Sequence, residues 1–303
     1  MDVAELRVVA GPTGAGKSAI GLRLAEQHGA AIISADSRQI YRRFDIGTAK
    51  PTRDERARVI HHGVDVADPV ERYSAARWAE NADAWIASDV AASRQSIVVG
   101  GTGFYLRGIF APLFAEPPLD PSARTALQDW LATLPAAELR RWCDTLDPPR
   151  AALGPAQLRR AIEVALLAGQ RLSDLHSVPR AAPRFRARYL LVDPGPILRD
   201  RISSRVDAML NGGWPEEVER LVGDVPEEAP AWNAAGYATV RRMVRGEISR
   251  MHAREQITIE TRQYAKRQRT WLRHQLGDAP ATLVNPDAPD AMSIVDRWWK
   301  GED

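Results

Sequence analysis

The sequence has almost no cysteine and no long hydrophobic run. Its one cysteine, Cys143, excludes an internal disulfide and any zinc site built from several cysteines. No apolar segment approaches the roughly 18 residues that a membrane-spanning helix needs. An acidic residue at position 2, with no long apolar stretch behind it, argues against a secretory signal. These absences predict a protein without membrane spans that works in the reducing cytoplasm.

Net charge is also low, at +2, and the composition is that of an ordinary globular protein. Hydrophobic residues make up 45% and charged residues 26% of the 303 residues, which excludes a disordered or collagen-like chain. That length suits one large domain or two smaller ones. The sequence contains no internal repeat and no low-complexity tract.

Positive charge is nevertheless concentrated in one stretch. Between Arg241 and Arg273, ten lysines and arginines stand against three glutamates. Such a concentration in a nearly neutral protein favours a surface that binds a polyanion. A solvated helix face without a partner is the alternative.

Strand and helix signals alternate along much of the chain. Apolar runs that stop at turn residues predict strands at 6–10, 31–34, 96–100 and 188–192. Helices are predicted from about Lys17 and from Ala75 to Ala91. This alternation is typical of an α/β fold, in which helices cover both faces of a parallel sheet.

The pattern changes at Pro112, where prolines become frequent and only helical segments follow until about Pro183. We therefore predict a core formed by residues 1–111 and 187–303 and a helical insertion domain at 112–186. The core continues as helix from Pro196 to about Gly277. The last 25 residues give no clear signal beyond an amphipathic tail around Trp298 and Trp299.

A phosphate-binding loop follows the first predicted strand and precedes the first helix. It matches GxxxxGK[ST], and its residues are Gly11, Pro12, Thr13, Gly14, Ala15, Gly16, Lys17 and Ser18. The glycines let backbone N–H groups converge on phosphate oxygens. Lys17 supplies a charge, and Ser18 supplies a hydroxyl ligand for Mg²⁺. We expect this loop to bind a diphosphate or triphosphate.

Two further polar residues follow the second and third predicted strands. Asp36 and Thr102 both come at the carboxyl end of a strand, the edge at which parallel sheets bind ligands. Asp36 is a candidate metal ligand or general base, or else the N-cap of the next turn. The segment from Gly100 to Gly103 either presents the Thr102 hydroxyl to the same crevice or is a plain turn.

Several motifs together resemble those of bacterial tRNA dimethylallyltransferases, and the resemblance covers nearly the whole chain. The matching segments are GPTGAGKS (11–18), ISADSRQIY (33–41), DIGTAKP (45–51), HHGVDVADP (61–69), VVGGTGFYL (98–106), RRAIEV (159–164), LRDRISSRVDAMLNGG (198–213) and TRQYAKRQRTWLR (261–273). The resemblance implies an α/β fold with a P-loop nucleoside-kinase-like parallel sheet, a helical insertion and a helical C-terminal part. It also implies transfer of a dimethylallyl group to N6 of the adenosine 3′ of the anticodon.

By the same resemblance, Gly11 to Ser18 would hold the diphosphate of dimethylallyl diphosphate, with Mg²⁺ on Ser18. The implied catalytic residues are Asp36, which would accept the N6 proton, Thr102, Lys17 and Arg205. The anticodon stem-loop of tRNA is the implied partner, and a monomer is expected. The residues implied to contact tRNA are Asp36, Ser37, Arg38, Gln39, Thr102, Arg124, Gln157, Arg159 and Arg160.

The basic stretch adds a further expected contact with tRNA. Arg262, Lys266, Arg269 and Arg273 recur at i, i+4, i+7 and i+11, which places them on one helical face. The opposite face carries Tyr264, Gln268 and Trp271, which we expect to dock the helix on the core. Arg267 lies off this predicted stripe and has no assigned role.

Three alternative functions remain open from sequence. An isopentenyltransferase acting on free AMP or ATP would share the core, but a mononucleotide needs no long basic surface. A small-molecule kinase would transfer a γ-phosphoryl group and would leave the tRNA-like motifs unexplained. An RNA-binding protein without activity would not need an intact phosphate loop and Asp36. The adjacent His61 and His62 are expected to be structural, since no further metal ligands accompany them.

Overall fold

The computed structural model describes residues 4–110, 117–177, 185–276 and 279–302. The chain divides into two compact units, Met1–Ala111 with Pro183–Asp303, and Pro112–Ala182. The sequence placed the helical insertion at 112–186. Within the described ranges, none of the helices is both long and apolar enough to span a bilayer.

The first unit contains a parallel sheet. In the part of the chain that the structure describes, its strands are β1 (Ala4–Ala10), β2 (Ala31–Ala35), β3 (His61–His62), β4 (Ser96–Gly100), β5 (Phe185–Val192) and β6 (Ala281–Val284). Their order in the sheet is β3-β2-β4-β1-β5-β6, and every pair is parallel. Parallel strands need crossover connections, and helices supply most of them. The predicted α/β class is confirmed.

Helices surround this sheet and make up the second unit. Those of the first unit are α1 (Lys17–His28), α2 (Arg53–Arg58), α3 (Ala75–Ala91), α4 (Gly103–Phe110), α9 (Leu198–Asn211), α10 (Trp214–Val222), α11 (Tyr237–Val244), α12 (Arg250–Gln275) and α13 (Ala291–Lys300). Those of the second unit are α5 (Pro121–Thr133), α6 (Ala136–Leu146), α7 (Pro155–Ala168) and α8 (Leu172–Ser177). Short 3₁₀ turns lie at Pro148–Arg150, Gly195–Ile197 and Pro230–Asn233.

Two apolar cores lie on opposite faces of the sheet because strand side chains alternate. Leu6, Val8 and Ala10 of β1 belong to one core, and Val9 belongs to the other. The second core also buries Trp298 and Trp299, which explains the amphipathic C-terminal pattern. Helices on both faces therefore cover the central strands of the sheet.

The second unit has its own apolar core. Leu131 of α5, Leu139 and Cys143 of α6, and Leu158 and Ile162 of α7 are all buried in it. This arrangement agrees with the helical periodicity that the sequence shows after Pro112. Cys143 is a free thiol within that core.

The sheet register brings the ends of three central strands together. Ala10 of β1 and Ala35 of β2 both align with Gly100 of β4. The chain segments that follow these residues are the phosphate-binding loop, Asp36 and Gly101-Thr102. The candidate functional residues therefore share one edge of the sheet, as parallel topology requires.

Candidate active site

The phosphate-binding loop depends on glycine for its path. Gly14 and Gly16 have φ angles of +80° and +98°, a region that other residues rarely adopt. A Cβ on Gly11 would lie 2.2 Å from the backbone oxygen of Val192, so no side chain fits there. The loop ends at α1, whose first residues are Lys17 and Ser18. A helix N-terminus with free N–H groups favours an anion at this position.

Three charged groups face one another beside the loop. The Lys17 Nζ donates to the backbone oxygen of Pro12 at 2.7 Å. Burial lowers the pKa of Lys17 to about 8; the nearby Asp36 opposes this shift, and the Arg205 charge adds to it. Burial likewise lowers the pKa of Arg205, while Asp36 raises it. Two half-buried cations near one carboxylate form a site that attracts further negative charge.

Asp36 and Thr102 are held by the backbone around them. Asp36 Oδ1 accepts from the Arg38 N–H at 2.9 Å. Thr102 Oγ1 accepts from the Ser37 N–H at 3.0 Å, and the Thr102 N–H donates to Ala35 at 3.1 Å. These bonds leave the second carboxylate oxygen of Asp36 available to a ligand.

Two cavities meet at Asp36. The larger, of about 280 Å³, is lined by Lys17, Ser18 and Asp36 together with apolar side chains such as Ile32 and Val99. The smaller, of about 60 Å³, is lined on its other side by Trp214, Ile257 and Tyr264. The residues that line both are Thr13, Asp36, Thr48 and Arg205. The carboxylate is thus placed where a ligand in one cavity would reach a ligand in the other.

Gln268 connects the long basic helix α12 to this site. Its side-chain oxygen accepts from the Thr13 N–H at 2.8 Å, and its amide nitrogen donates to the Gly101 oxygen at 2.9 Å. A Cβ on Gly101 would lie 2.5 Å from that nitrogen, so glycine is needed here. The prediction that Gln268 faces the core is confirmed, since it is buried. Its link to the phosphate-binding loop was not predicted.

Tyr264 is a second group on α12 that sequence reasoning assigned only to packing. Its ring lines the smaller cavity beside Asp36, and its hydroxyl lies near Thr102. Burial raises the pKa of Tyr264 to about 12, and the Asp36 charge adds to the shift. The phenol therefore stays protonated at neutral pH.

The segment from Asp45 to Pro51 forms a wall of the larger cavity. Hydrogen bonds to Glu217 and Tyr237 hold it on one side. The buried Glu217 carboxylate accepts from the Ile46 N–H at 2.8 Å and from the Tyr237 hydroxyl at 2.6 Å. Tyr237 in turn accepts from the Gly47 N–H at 3.1 Å. Burial raises the pKa of Glu217, and the hydrogen bonds oppose that shift. Nothing in the local sequence links positions 46 and 217.

Gln39 holds the same segment from the other side. Its amide nitrogen donates to the backbone oxygen of Ala49 at 2.9 Å, while its side-chain oxygen accepts from Ser34 at 2.8 Å. The family resemblance implies a tRNA contact for this residue. The structure shows that its amide supports the cavity wall, and the tRNA contact stays a prediction.

One residue of the predicted basic stripe on α12, Arg269, is paired with an acidic side chain. Arg269 forms an ion pair with Asp193, through Nε and Oδ2 at 2.9 Å, and donates to the Gly195 oxygen at 2.7 Å. Arg262 donates to Ser203 Oγ at 2.9 Å. Arg262, Lys266 and Arg273 are exposed. The predicted spacing of the four basic residues along the helix is correct. Spacing alone does not reveal that Asp193, which follows β5, neutralises Arg269.

Two of the predicted arginines in the helical unit converge on one buried carboxylate. Glu163 of α7 pairs with Arg124 of α5 at 2.5 Å and with Arg160. Arg159 is half-buried, and Gln157 accepts from the Gly154 N–H at the start of α7. The structure therefore brings Arg124 and Arg160 together, whereas Gln157 caps a helix.

The two adjacent histidines each contact another group of the protein. His62 lies 3.2 Å from the buried Asp89, and the His61 ring contacts the Val59 backbone oxygen at 2.9 Å. Among the residues that the structure describes, no cluster of three or more His, Cys, Asp or Glu residues could hold a metal. The expectation of a structural role for both histidines agrees with these contacts.

The pKa of Lys17 gives a pH prediction for the free protein. Only protonated Lys17 offers a charge to a diphosphate, so binding should weaken once the pH exceeds about 8. We expect kcat/KM for the diphosphate substrate to fall about tenfold per pH unit above that value. Steady-state rates from pH 6.5 to 9.5 measure this. A flat profile through pH 9.5 would contradict the prediction.

Comparison with known proteins gives consistent matches. The family model described as IPP transferase matches residues 39–275, and the model described as isopentenyl transferase matches residues 4–61. The tRNA dimethylallyltransferase of Deinococcus radiodurans is 40% identical over 94% of this chain and 94% of its own length. The protein of that name from Gloeobacter violaceus is 41% identical over 88% of each chain.

A solved structure is similar throughout. The tRNA isopentenylpyrophosphate transferase of Bacillus halodurans aligns with a TM-score of 0.70 and 28% identity. The alignment covers 98% of this chain and 96% of that one. The similarity therefore includes the sheet, the phosphate-binding loop and the helical unit.

Proposed function

Because this chain belongs to the IPP transferase family, we propose that it transfers a dimethylallyl group from dimethylallyl diphosphate to tRNA. The acceptor is N6 of the adenosine 3′ of the anticodon. The predicted family and the prenyl-transferring class of enzyme are confirmed by relatives about 40% identical over most of the chain. The observation that carries the mechanism is the position of Asp36 between two cavities.

The larger cavity suits the donor. Its phosphate-binding loop, Lys17 and Arg205 offer positive charge to a diphosphate, while Ile32 and Val99 offer an apolar wall to the prenyl chain. Cleavage of the allylic C–O bond leaves its electron pair on the diphosphate oxygen. Cations that already face this oxygen stabilise the transition state without rearrangement.

The smaller cavity suits the acceptor. An adenine that leaves its stack would approach Asp36 past Trp214 and Tyr264, as base-modifying enzymes require. The N6 lone pair forms the new N–C bond, and the N6 proton passes to the Asp36 carboxylate. Thr102, held by the Ser37 N–H, contacts the reacting groups beside it.

Mg²⁺ fits the donor site. Magnesium is commonly held by few protein oxygens together with substrate phosphates, and the Ser18 hydroxyl lines the cavity at the start of α1. We propose that Ser18 holds the ion, which supplies positive charge to the diphosphate when bound. The chain's own Lys17 and Arg205 act on the same oxygens.

The remaining contacts with tRNA follow the basic and polar residues of each unit. In the helical unit we assign them to Arg124, Gln157, Arg159 and Arg160, and in the first unit to Ser37, Arg38, Gln39, Arg262, Lys266 and Arg273. Arg269 contributes through its support of α12. A cytoplasmic location and a monomeric state stay predictions.

Nucleoside analysis tests the proposal directly. The protein is incubated with Mg²⁺, dimethylallyl diphosphate and unmodified tRNA, and the digested nucleosides are identified by mass spectrometry. We expect N6-dimethylallyl adenosine at the position 3′ of the anticodon, without ATP. Prenylated AMP in a parallel reaction, with tRNA untouched, would favour a mononucleotide substrate. Phosphorylated product with ATP would favour a kinase.

A further inference from the structure

An exposed aromatic side chain lies in a shallow basic depression between α4 and α12. Phe104 is 63% exposed at the start of α4. The depression, of about 570 Å³, is lined by Phe104, Arg107, Lys266, Arg267, Trp271 and His274, among others. We call these six residues the Phe104 surface.

Packing of α4 does not require Phe104. The helix is anchored by its opposite side, where Tyr105, Leu106 and Ile109 are buried. Trp271 fills the space beside Gly103, where an added Cβ would lie 2.3 Å from the indole ring. The phenyl ring of Phe104 is therefore left in water beside an aromatic neighbour, at a cost that a bound partner would remove.

The charge of the Phe104 surface is of one sign. No acidic side chain lines it, and no ion pair among the described residues involves Arg107, Lys266 or Arg267. Arg269, on the same helix, is in contrast neutralised by Asp193. An exposed ring with unneutralised cations around it is the combination that binds unpaired nucleotides, by stacking and phosphate contact.

The position of the surface indicates which nucleotide it would bind. Phe104 follows Thr102 by two residues, a backbone span of at most about 7 Å. Thr102 in turn bonds to Ser37, the residue after Asp36. A base on Phe104 would therefore be a near neighbour of the adenosine that reaches Asp36.

We propose that Phe104 stacks on the unpaired base next to the target adenosine, while Arg107, Lys266 and Arg267 bind the flanking phosphates. This inference rests on the proposed function, because it assumes an RNA substrate. Stacking tolerates any base, so the surface adds affinity and alignment and not a sequence code. It also assigns a role to Arg267, which the predicted stripe left out.

The test is a double-mutant cycle, in which protein variants are combined with RNA variants. Affinity is measured for an unmodified anticodon stem-loop, and for the same RNA with an abasic nucleotide on either side of the target adenosine. Phe104→Ala should weaken binding of the intact RNA about 5- to 100-fold and leave the salt dependence unchanged. Phe104→Trp should bind as the wild type does. Arg267→Gln should instead reduce the salt slope by about one.

The abasic RNAs identify the contact. At one of the two neighbouring positions, the abasic change should weaken the wild type and have no further effect on Phe104→Ala. Met251→Ala is the matched control, because Met251 is 72% exposed on the same helix outside the Phe104 surface. It should bind like the wild type. Independent, additive losses at both positions would overturn the proposal, as would wild-type affinity for Phe104→Ala.

Failure of the proposed function is distinguishable from these outcomes. It appears as the absence of prenylated adenosine with the wild-type protein and intact tRNA. If the wild type prenylates tRNA while Phe104→Ala retains its affinity, only the stacking role is wrong. Melting temperatures of all variants should match, because each substituted side chain is exposed.

Discussion

Replacing Asp36 by asparagine is expected to lower the single-turnover rate of prenyl transfer by about 10²–10⁴ while affinity for tRNA changes little. The amide cannot accept the N6 proton, so the step that relieves positive charge on nitrogen is lost. Replacing one charged hydrogen bond to the RNA by a neutral one costs less, about 1 kcal/mol. Rates at saturating tRNA and donor separate the two effects.

The structure indicates that asparagine at position 36 would preserve the local hydrogen bonding. Asp36 Oδ1 accepts from the Arg38 N–H, and the side-chain oxygen of asparagine can make the same bond. Asp68 is a matched control, because its Oδ1 accepts from the Val70 N–H at 3.2 Å in the same local geometry, at an exposed site. Asp68→Asn should react at the wild-type rate. A wild-type rate for Asp36→Asn as well would remove Asp36 from the mechanism.

Replacing Lys17 by methionine is expected to lower kcat/KM for dimethylallyl diphosphate by a factor of about 30–10³. This range corresponds to about 2–4 kcal/mol, the cost of removing one preorganised donor from a developing oxyanion. Methionine keeps most of the buried volume, so the loss measures the charge and not a cavity. Steady-state kinetics in the donor, with tRNA saturating, provide the measurement.

Two control measurements accompany the Lys17→Met experiment. The affinity for tRNA should be the same in Lys17→Met as in the wild type, since Lys17 lies in the donor cavity. ATP should act on the wild type only as a competitor of the donor, because the phosphate-binding loop holds the leaving group. An absolute requirement for ATP, or unaltered kcat/KM in Lys17→Met, would show that this loop serves another purpose.

Several features of the fold could be predicted because they depend on local patterns. The apolar runs that predict four strands appear in β1, β2, β4 and β5, and the alanine-rich helix spans Ala75–Ala91. The phosphate-binding loop requires positive φ at Gly14 and Gly16, which its glycines indicate directly. Asp36 and Thr102 could be assigned to one edge because parallel strands all end on the same side.

Strands β3 and β6 could not be predicted in this way. β3 is only the pair His61–His62, and β6 is Ala281–Val284 at the edge of the sheet. Both strands are too short to show a period, and each exists because a neighbouring strand supplies hydrogen bonds. Pairing between distant segments carries no local signal.

What the sequence by itself determined was the family, the α/β core and the residue types that act on a diphosphate and an amine. Only the tertiary structure decided how those residues are held and which charges remain free. Gln268 reaches Thr13 and Gly101, Glu217 reaches Ile46, and Asp193 neutralises Arg269. These partners are far apart in the chain, and a side chain's charge or hydrogen bond is decided by its neighbours in space.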